Sequence, residues 1–330
     1  MMNAAFTPSY GPASILEVRS LPIPTPKPHE VLVHVRASAV TAGDLRVRSG
    51  DFGALLSVVG RAFMGFFGPR HPVQGTAFSG VVASVGDAVD RFAVGDAVFG
   101  SSPSGGAWAE YIAVPADGAL ARRPENVSHA EAAAVPYGAG TAWHCLNDLA
   151  RVQAGERVLV LGGAGGVGRF AVRIARHLGA HVTAVGSRAS LDVMRELGAD
   201  EVLDYRAVDF ATLGETWDVV FDTADASSFR HSRPVLTERG RYVTLYASLG
   251  VLVQMLVSRW GRGPRALFAV VAGTRERTEL LADLLSRGAI RPRVVARFPI
   301  EAVAEAHRRA EQGAGGDVLV VPSASPEQAA

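Results

Sequence analysis

The chain has 330 residues, 48% of them hydrophobic, and a formal net charge of +1. That length can bury a large core and exceeds one typical α/β domain, so two domains are expected. No block of like charges occurs, which argues against nucleic-acid binding and a polybasic membrane tether and leaves small molecules as the expected partners. Lys27 is the only lysine among the 33 basic residues, so mechanisms that need a catalytic lysine are nearly excluded. Cys145 is the sole cysteine, which rules out an internal disulfide framework and a cysteine-rich zinc site. The N-terminus, Met1-Met-Asn-Ala-Ala-Phe6, lacks a basic region followed by an apolar core, so no signal peptide and a cytoplasmic location are expected.

Up to about residue 123 the chain is rich in Val, Pro and Gly, with short runs such as Val31–Ala37 and Val81–Val85. Gly-Asp turns at 86–87 and 95–96 punctuate them, and a compact β-rich domain over 1–123 is predicted. The apolar stretch from Phe52 to Phe67 is broken by Arg61 and glycines and is shorter than the ~20 residues that span a bilayer, so it reads as a buried helix or pocket wall. From 124 to 272 the rhythm becomes strand, helix, strand. Strands are expected at Arg157–Leu161, His181–Val185, Glu201–Leu203, Val219–Asp222, Arg241–Tyr246 and Ala266–Val271, a doubly wound parallel sheet of six. Leu252–Trp260 reads as an apolar helix over a nucleotide cleft or in a subunit contact. Residues 273–330 read as helix, strand (Val294–Phe298), helix (Ala302–Gln312) and strand (Val318–Val321), returning to the first domain, with Pro322 onward fraying.

The strand Arg157–Leu161 runs directly into Gly163-x-Gly165-x-x-Gly168. Val167, Phe170, Ala171, Ile174, Ala175 and Leu178 then recur at helical spacing up to Gly179. In this context the glycines read as a dinucleotide loop. Gly163 is expected to turn the chain off the strand and Gly165 to admit a pyrophosphate. Gly168 lets helix and sheet pack closely, with the helix N–H groups facing the phosphates.

The words Val40-Thr-Ala-Gly-Asp-Leu-Arg-Val-Arg-Ser-Gly50, Gly75–Gly86, Phe92–Gly100, Gly106-Ala-Trp-Ala-Glu-Tyr111, Glu131–Pro136, the glycine loop and Leu197-Gly-Ala-Asp200 occur in order over nearly the whole chain. Together they resemble the medium-chain dehydrogenase/reductase superfamily, in its zinc-independent quinone oxidoreductase-like branch. The resemblance implies an α/β fold in which a Rossmann domain is inserted in a GroES-like β-rich catalytic domain. It also implies a nicotinamide cleft between the two and a homodimer formed through the edge strand Ala266–Val271. Zinc-dependent members carry a Cys near 43 and Gly-His-Glu at 75–77, where this chain has Gly43 and Gly75-Thr76-Ala77, so no metal is expected. His144 and Cys145 are adjacent and diverge on a helix. Branch members usually have Asp at the place of Ala77 and Asn at that of Thr41.

The second strand ends in Gly186-Ser187-Arg188, with no carboxylate before Asp192 to take a ribose 2′-OH. Ser187 and Arg188 suit a 2′-phosphate, and Tyr205 matches a family position beside it, so NADPH is the expected cofactor. Gly166, Val167 and Leu245 complete the expected cofactor contacts. Without zinc or a Tyr–Lys pair, reduction of a quinone or an activated C=C bond asks least of the protein. Thr41, Asp44 and Tyr137 are the candidate catalytic residues and Phe52 a pocket residue for an apolar electrophile. For each of these a plain turn, capping or packing role stands beside the functional one. A biosynthetic enoyl or enone reductase remains an alternative, as does a low-turnover NADPH-binding sensor or structural protein.

Overall fold

The computed structural model describes residues 1–51, 61, 64–66, 68–261, 263–313 and 315–322. Contacts divide the chain into two units, Met1–Gly140 with Ala272–Ala330 and Thr141–Val271.

In the first unit β1 (Met2–Phe6) and β2 (Glu17–Leu21) form an antiparallel pair. β3 (Glu30–Ala39) pairs antiparallel with β4 (Ala77–Val85), and β4 with β5 (Ala97–Ser101). β6 (Tyr111–Pro115) also pairs with β3, while β7 (Leu120–Arg122) joins β5. Val31, Val33 and Val35 alternate along β3 and meet Phe78, Val98 and Leu120 in one buried cluster. This is what period-two patterning demands of a half-buried sheet. Helix α1 (Ala42–Ser49) follows β3, and α2 (His129–Ala133) precedes α3 (Pro136–Trp143). Ala37, Ala39 and Ala77 from the sheet meet Ala130, Ala133 and Ala134 in an alanine-rich cluster, and these small side chains let α2 lie close on β3, β4 and β5. Residues 124–140, expected with the second domain, therefore lie in the first unit.

The second unit carries a six-stranded, wholly parallel sheet. Its strands are β8 (Arg157–Leu161), β9 (His181–Gly186), β10 (Glu201–Asp204), β11 (Trp217–Asp222), β12 (Leu236–Thr244) and β13 (Arg265–Phe268). Their spatial order, β10-β9-β8-β11-β12-β13, reverses direction of growth between β8 and β11. That junction is the topological switch point at which such sheets bind ligands beyond the strand C-termini. Val158 to Leu161 are all buried, which explains the unbroken apolar run. Helix α4 (Gly168–His177) covers one face with Phe170, Ala171 and Ile174. Leu159, Leu161, Trp217, Val220, Tyr242 and Ala266 form a cluster on the other. Three further helices, α5 (Leu191–Glu196), α6 (Phe229–Ser232) and α7 (Leu249–Trp260), lie in the later crossovers.

Two strands depart from the sequence expectation by three residues or more, while β9, β10 and β11 differ by one or two. β12 starts at Leu236, ahead of Arg241, and stops at Thr244; β13 stops at Phe268 instead of Val271. Phe268 pairs with Thr244, the last residue of β12, and the Ala269 N–H still donates to the Thr244 carbonyl at 3.3 Å; beyond that β12 offers no further strand, and Val270 is left 82% exposed.

Past α8 (Arg275–Ser286), the tail returns to the first unit. β14 (Val294–Pro299) and α9 (Val303–Glu311) lead to β15 (Asp317–Val321), which pairs parallel with β14 and antiparallel with Ser38 and Ala39 of β3. Among the described residues no helix is long and apolar enough to cross a membrane.

Leu159 is fully buried at the centre of the parallel sheet. Leu159→Ala should lower unfolding free energy by ~2–5 kcal/mol, read by denaturant titration; a loss under ~1 kcal/mol would place it outside the core.

Candidate functional site

The glycine loop occupies the switch point. Gly162, one residue ahead of the expected position, takes the left-handed conformation at φ 79° and turns the chain off β8. A Cβ there would also meet that of Ala224 at 2.7 Å. Gly163 is small for a different reason: a Cβ on it would lie 2.9 Å from Ala184 Cβ and Met194 Sδ, so it lets the loop sit against β9 and α5. The turning role assigned to Gly163 thus belongs to Gly162, because only that residue has positive φ. Gly168 behaves as expected, since its Cβ would stand 2.0 Å from the Gly162 carbonyl oxygen. Gly165 and Gly166 are exposed, with open space around Gly166, while Val167 is buried beneath them.

Helix α4 begins with no side-chain cap at Val167 and no acidic residue in its first turn. A helix start leaves backbone N–H groups without intrahelical acceptors and carries partial positive charge. A pyrophosphate supplies what this end lacks, and the bare Gly165-Gly166 apex admits it. The donor set and the glycine cradle fit a dinucleotide.

The ends of neighbouring strands complete this region. Gly186 closes β9, and the Tyr205 N–H donates to its carbonyl at 3.1 Å, which places Tyr205 beside Ser187 and Arg188. A Cβ on Gly186 would meet Ser190 Oγ at 2.6 Å. Arg188 is exposed and has no carboxylate partner among the described residues; Tyr205 is 55% exposed. Leu245 is half-buried just past β12.

Sequence reasoning missed Asp222. This buried carboxylate at the end of β11 accepts from the N–H groups of Ala224, Ala226 and Ser227 at 3.0, 3.1 and 2.9 Å, and from Tyr242 Oη at 3.0 Å. Burial, then the Asp222 charge, pushes the Tyr242 hydroxyl pKa upward and keeps it a donor. Thr223 Oγ1 donates to the Leu161 carbonyl at 2.8 Å, so the 222–227 loop is tied to the end of β8. The signal available was an acid closing an otherwise apolar strand, which costs too much to bury unless it is bonded.

In the first unit the three candidate catalytic residues fall together. Thr41 caps α1 in a capping box with Asp44. The Thr41 N–H and Oγ1 donate to Asp44 Oδ2 at 2.8 and 2.6 Å, and the Asp44 N–H donates back to Thr41 Oγ1 at 3.2 Å. Thr76 Oγ1 donates to the other carboxylate oxygen at 3.2 Å. Burial without a cation pushes the Asp44 carboxyl up to about 6, against the opposing hydrogen bonds from Thr41 and Thr76. Both its oxygens are engaged, so Asp44 positions Thr41 and the 76 loop. The Tyr137 ring lies over Gly43, where a Cβ would be 2.9 Å from Cε2 and 3.2 Å from the hydroxyl oxygen. Ala77 is buried in the alanine cluster, a setting with no place for the Asp usual in the branch. Phe52 lies outside the described residues. His144 reaches Asp148 at 3.1 Å while Cys145 is buried, and among the described residues no three His, Cys, Asp or Glu side chains gather to hold a metal.

The Asp44 pKa sets a pH signature. Its folded value of about 6 lies above 3.8, so the folded chain holds this proton more tightly. The contribution is full below pH ~4 and is lost as pH rises through ~6. In urea titrations across that window Asp44→Asn should flatten this fall in stability; a variant with an unchanged pH profile would show that Asp44 is not the group.

Comparison with known proteins agrees with this geometry. A family described as alcohol dehydrogenase GroES-like domain matches residues 27–125, and one described as zinc-binding dehydrogenase matches 197–315. The chain is 30% identical over 336 residues to the chloroplast envelope quinone oxidoreductase homolog of Arabidopsis thaliana, covering 98% of this chain and 99% of that protein. It is 35% identical over 243 residues, 71% of the chain, to a mycocerosic acid synthase-like polyketide synthase of Mycobacterium tuberculosis, of whose length the match spans only 11%. Among solved structures, the quinone oxidoreductase from Coxiella burnetii superposes with a TM-score of 0.85 at 26% identity, over 98% of this chain and 99% of that one. The CurK enoyl reductase does so at 0.84 and 26%, with the same coverage. By sequence, glycine loop and sheet order, the chain belongs to the medium-chain dehydrogenase/reductase superfamily, oxidoreductases that use a nicotinamide cofactor.

Proposed function

We propose that the chain is a zinc-independent, NADPH-dependent reductase that delivers hydride to a quinone or another α,β-unsaturated carbonyl. The observation that carries the cofactor choice is the end of β9. Gly186, Ser187 and Arg188 offer a hydroxyl and an unpaired guanidinium where an NAD site needs a carboxylate, and Tyr205 is bonded alongside through its backbone. A 2′-phosphate meets a hydroxyl and a charge-assisted guanidinium donor there, and its rival 2′-OH finds no carboxylate on the Gly186–Arg188 segment.

The bound dinucleotide supplies the hydride; the residues of the chain hold it and stabilise the acceptor. The N–H groups opening α4 bind the pyrophosphate, and the bare apex at Gly165 and Gly166 lets it approach. On the acceptor, hydride adds at the carbon conjugated to the carbonyl, and negative charge develops on that carbonyl's oxygen. A neutral hydroxyl suffices to stabilise it. We assign this to Tyr137, whose hydroxyl or a water returns the proton to the α-carbon or the quinone oxygen; Thr41, whose own hydroxyl proton goes to Asp44, holds the first turn of α1, on whose Gly43 the Tyr137 ring rests. Quinone oxidoreductase relatives support the quinone reading. The likeness to an enoyl reductase structure supports a second, in which an enoyl thioester is the acceptor. Depletion of NADPH with a panel of quinones, enones and enoyl thioesters separates them.

Arg188→Ala should raise the KM for NADPH by ~10- to 100-fold and leave that for NADH within about twofold, as expected for losing a charge-assisted contact. Equal effects on both cofactors, or a wild-type preference for NADH, would reject the assignment.

A further inference from the structure

Helix α7 presents an apolar face to solvent. Leu249, Leu252, Val253, Leu256, Val257 and Trp260 are 43% to 84% exposed. At about 100° per residue they fall within one arc of about 140°, while Val251 and Met255 turn toward the sheet. A globular helix normally buries such a stripe. Six large side chains on one exposed face are a contiguous patch of the kind that marks an interaction surface.

The flanks of this stripe are basic. Arg230 and Arg233 line a groove of about 410 Å³ beside Val253 and Val257, and Arg259 and Arg265 border the helix C-terminus. Among the described residues none of the four has a carboxylate partner. No Asp or Glu occurs in the sequence between Glu238 and Glu276. The stripe is therefore apolar in the middle and flanked by Arg230, Arg233 and Arg259, while Arg265 lines a pocket that also holds Asp148, Glu238, Arg151, Arg239 and Arg241. Trp260 stands at the end, where an indole sits best between water and hydrocarbon.

From this arrangement we infer that α7 docks the protein on an anionic lipid bilayer, lying in its surface with Leu252, Leu256 and Trp260 inserted and the arginines on lipid phosphates. The helix has 12 residues, about 18 Å, too short to span a bilayer and suited to lie along one. A second copy is a poorer occupant. Isologous pairing of this face would gather the flanking arginines of both copies around one apolar contact, and α7 itself carries no carboxylate to answer them. An anionic membrane meets both the charge and the apolar area. If the acceptor is an apolar quinone, as proposed above, docking would also bring the protein to the phase where that acceptor dissolves.

The test needs no turnover, so its failure and that of the proposed reaction are distinguishable. Full-length protein is sedimented with phosphatidylcholine vesicles with and without about 30 mol% phosphatidylserine at near-physiological salt. Co-sedimentation is expected with the anionic vesicles and a blue shift of tryptophan emission, since Trp108 and Trp217 are fully buried while Trp260 is 84% exposed. Binding should be at least about tenfold weaker to neutral vesicles, in Arg230→Ala/Arg233→Ala, and in Leu256→Glu/Trp260→Glu, whose exposed sites leave circular dichroism and melting unchanged. Wild-type protein left in the supernatant with anionic vesicles overturns the inference, as does a Leu256→Glu/Trp260→Glu variant that binds like wild type. A wild-type dimer that binds no vesicles and that this variant splits into monomers overturns it in favour of a second copy.

Discussion

The second unit depends on one close approach, that of Gly168 to the carbonyl of Gly162. Because no Cβ separates them, α4 starts immediately above the end of β8. Its unsatisfied N–H groups and the positive end of its dipole then point into the loop between. The left-handed turn at Gly162 lets Ala224 from the neighbouring β11 loop press on the same spot. Thr223 closes the gap by bonding the Leu161 carbonyl, and Asp222 fixes the loop that carries both. The phosphate-binding end is thus rigid before any ligand arrives, which is what a site that works by orientation requires. Any side chain at 168 would lift the helix, turn its N–H groups aside and loosen the loop from β11 together.

The first unit rests on a different constraint, the burial of a carboxylate among neutral donors. Asp44 has no cation beside it, only the hydroxyls and N–H groups of Thr41 and Thr76. It holds the start of α1 and the segment before β4 in one arrangement, and so sets where the Thr41 hydroxyl and the face of Gly43 lie. Tyr137 rests on Gly43 because that position lacks a side chain. The alanine cluster around Ala77 brings α2, and with it Tyr137, down onto the sheet. The Thr41 and Thr76 hydroxyls are spent on Asp44, which leaves Tyr137, on its apolar support, as the hydroxyl that the proposed reaction would use.

Much of this was legible from residues alone, and the limits have physical causes. Periodicity placed every strand of the parallel sheet because buried strands must be apolar on both faces. The return of the tail to the first domain was expected, but its pairing with Ser38 and Ala39 of β3 was not marked in the sequence. What failed was anything decided by a neighbour. β13 ends where β12 ends, whatever the propensity of Val270 and Val271. In a run of glycines, spacing does not say which one carries positive φ, so the turn fell on Gly163 instead of Gly162. Asp222 looked like a strand terminus because its donors come from backbone N–H groups, which every residue but proline has and no sequence pattern marks.

Charge shows the same limit from another side. A net charge of +1 with no basic run gives no hint of a cationic face. Arg230 and Arg233 stand beside α7 only because the chain turns back through α6 to start β12, and Arg265 because β13 packs under that helix. Meanwhile carboxylates elsewhere are spent on local pairs, such as Glu156 with Arg241 and Asp192 with Arg195. In both proposals arginine would serve for one reason, since its planar, weakly hydrated guanidinium binds phosphate without giving up its charge. At Arg188, beyond the strand C-termini, the phosphate would be that of a nucleotide. Arg233 stands just before the start of β12 and Arg265 is the first residue of β13, at the opposite end of the parallel strands, so lipid phosphates there would leave the nucleotide site free.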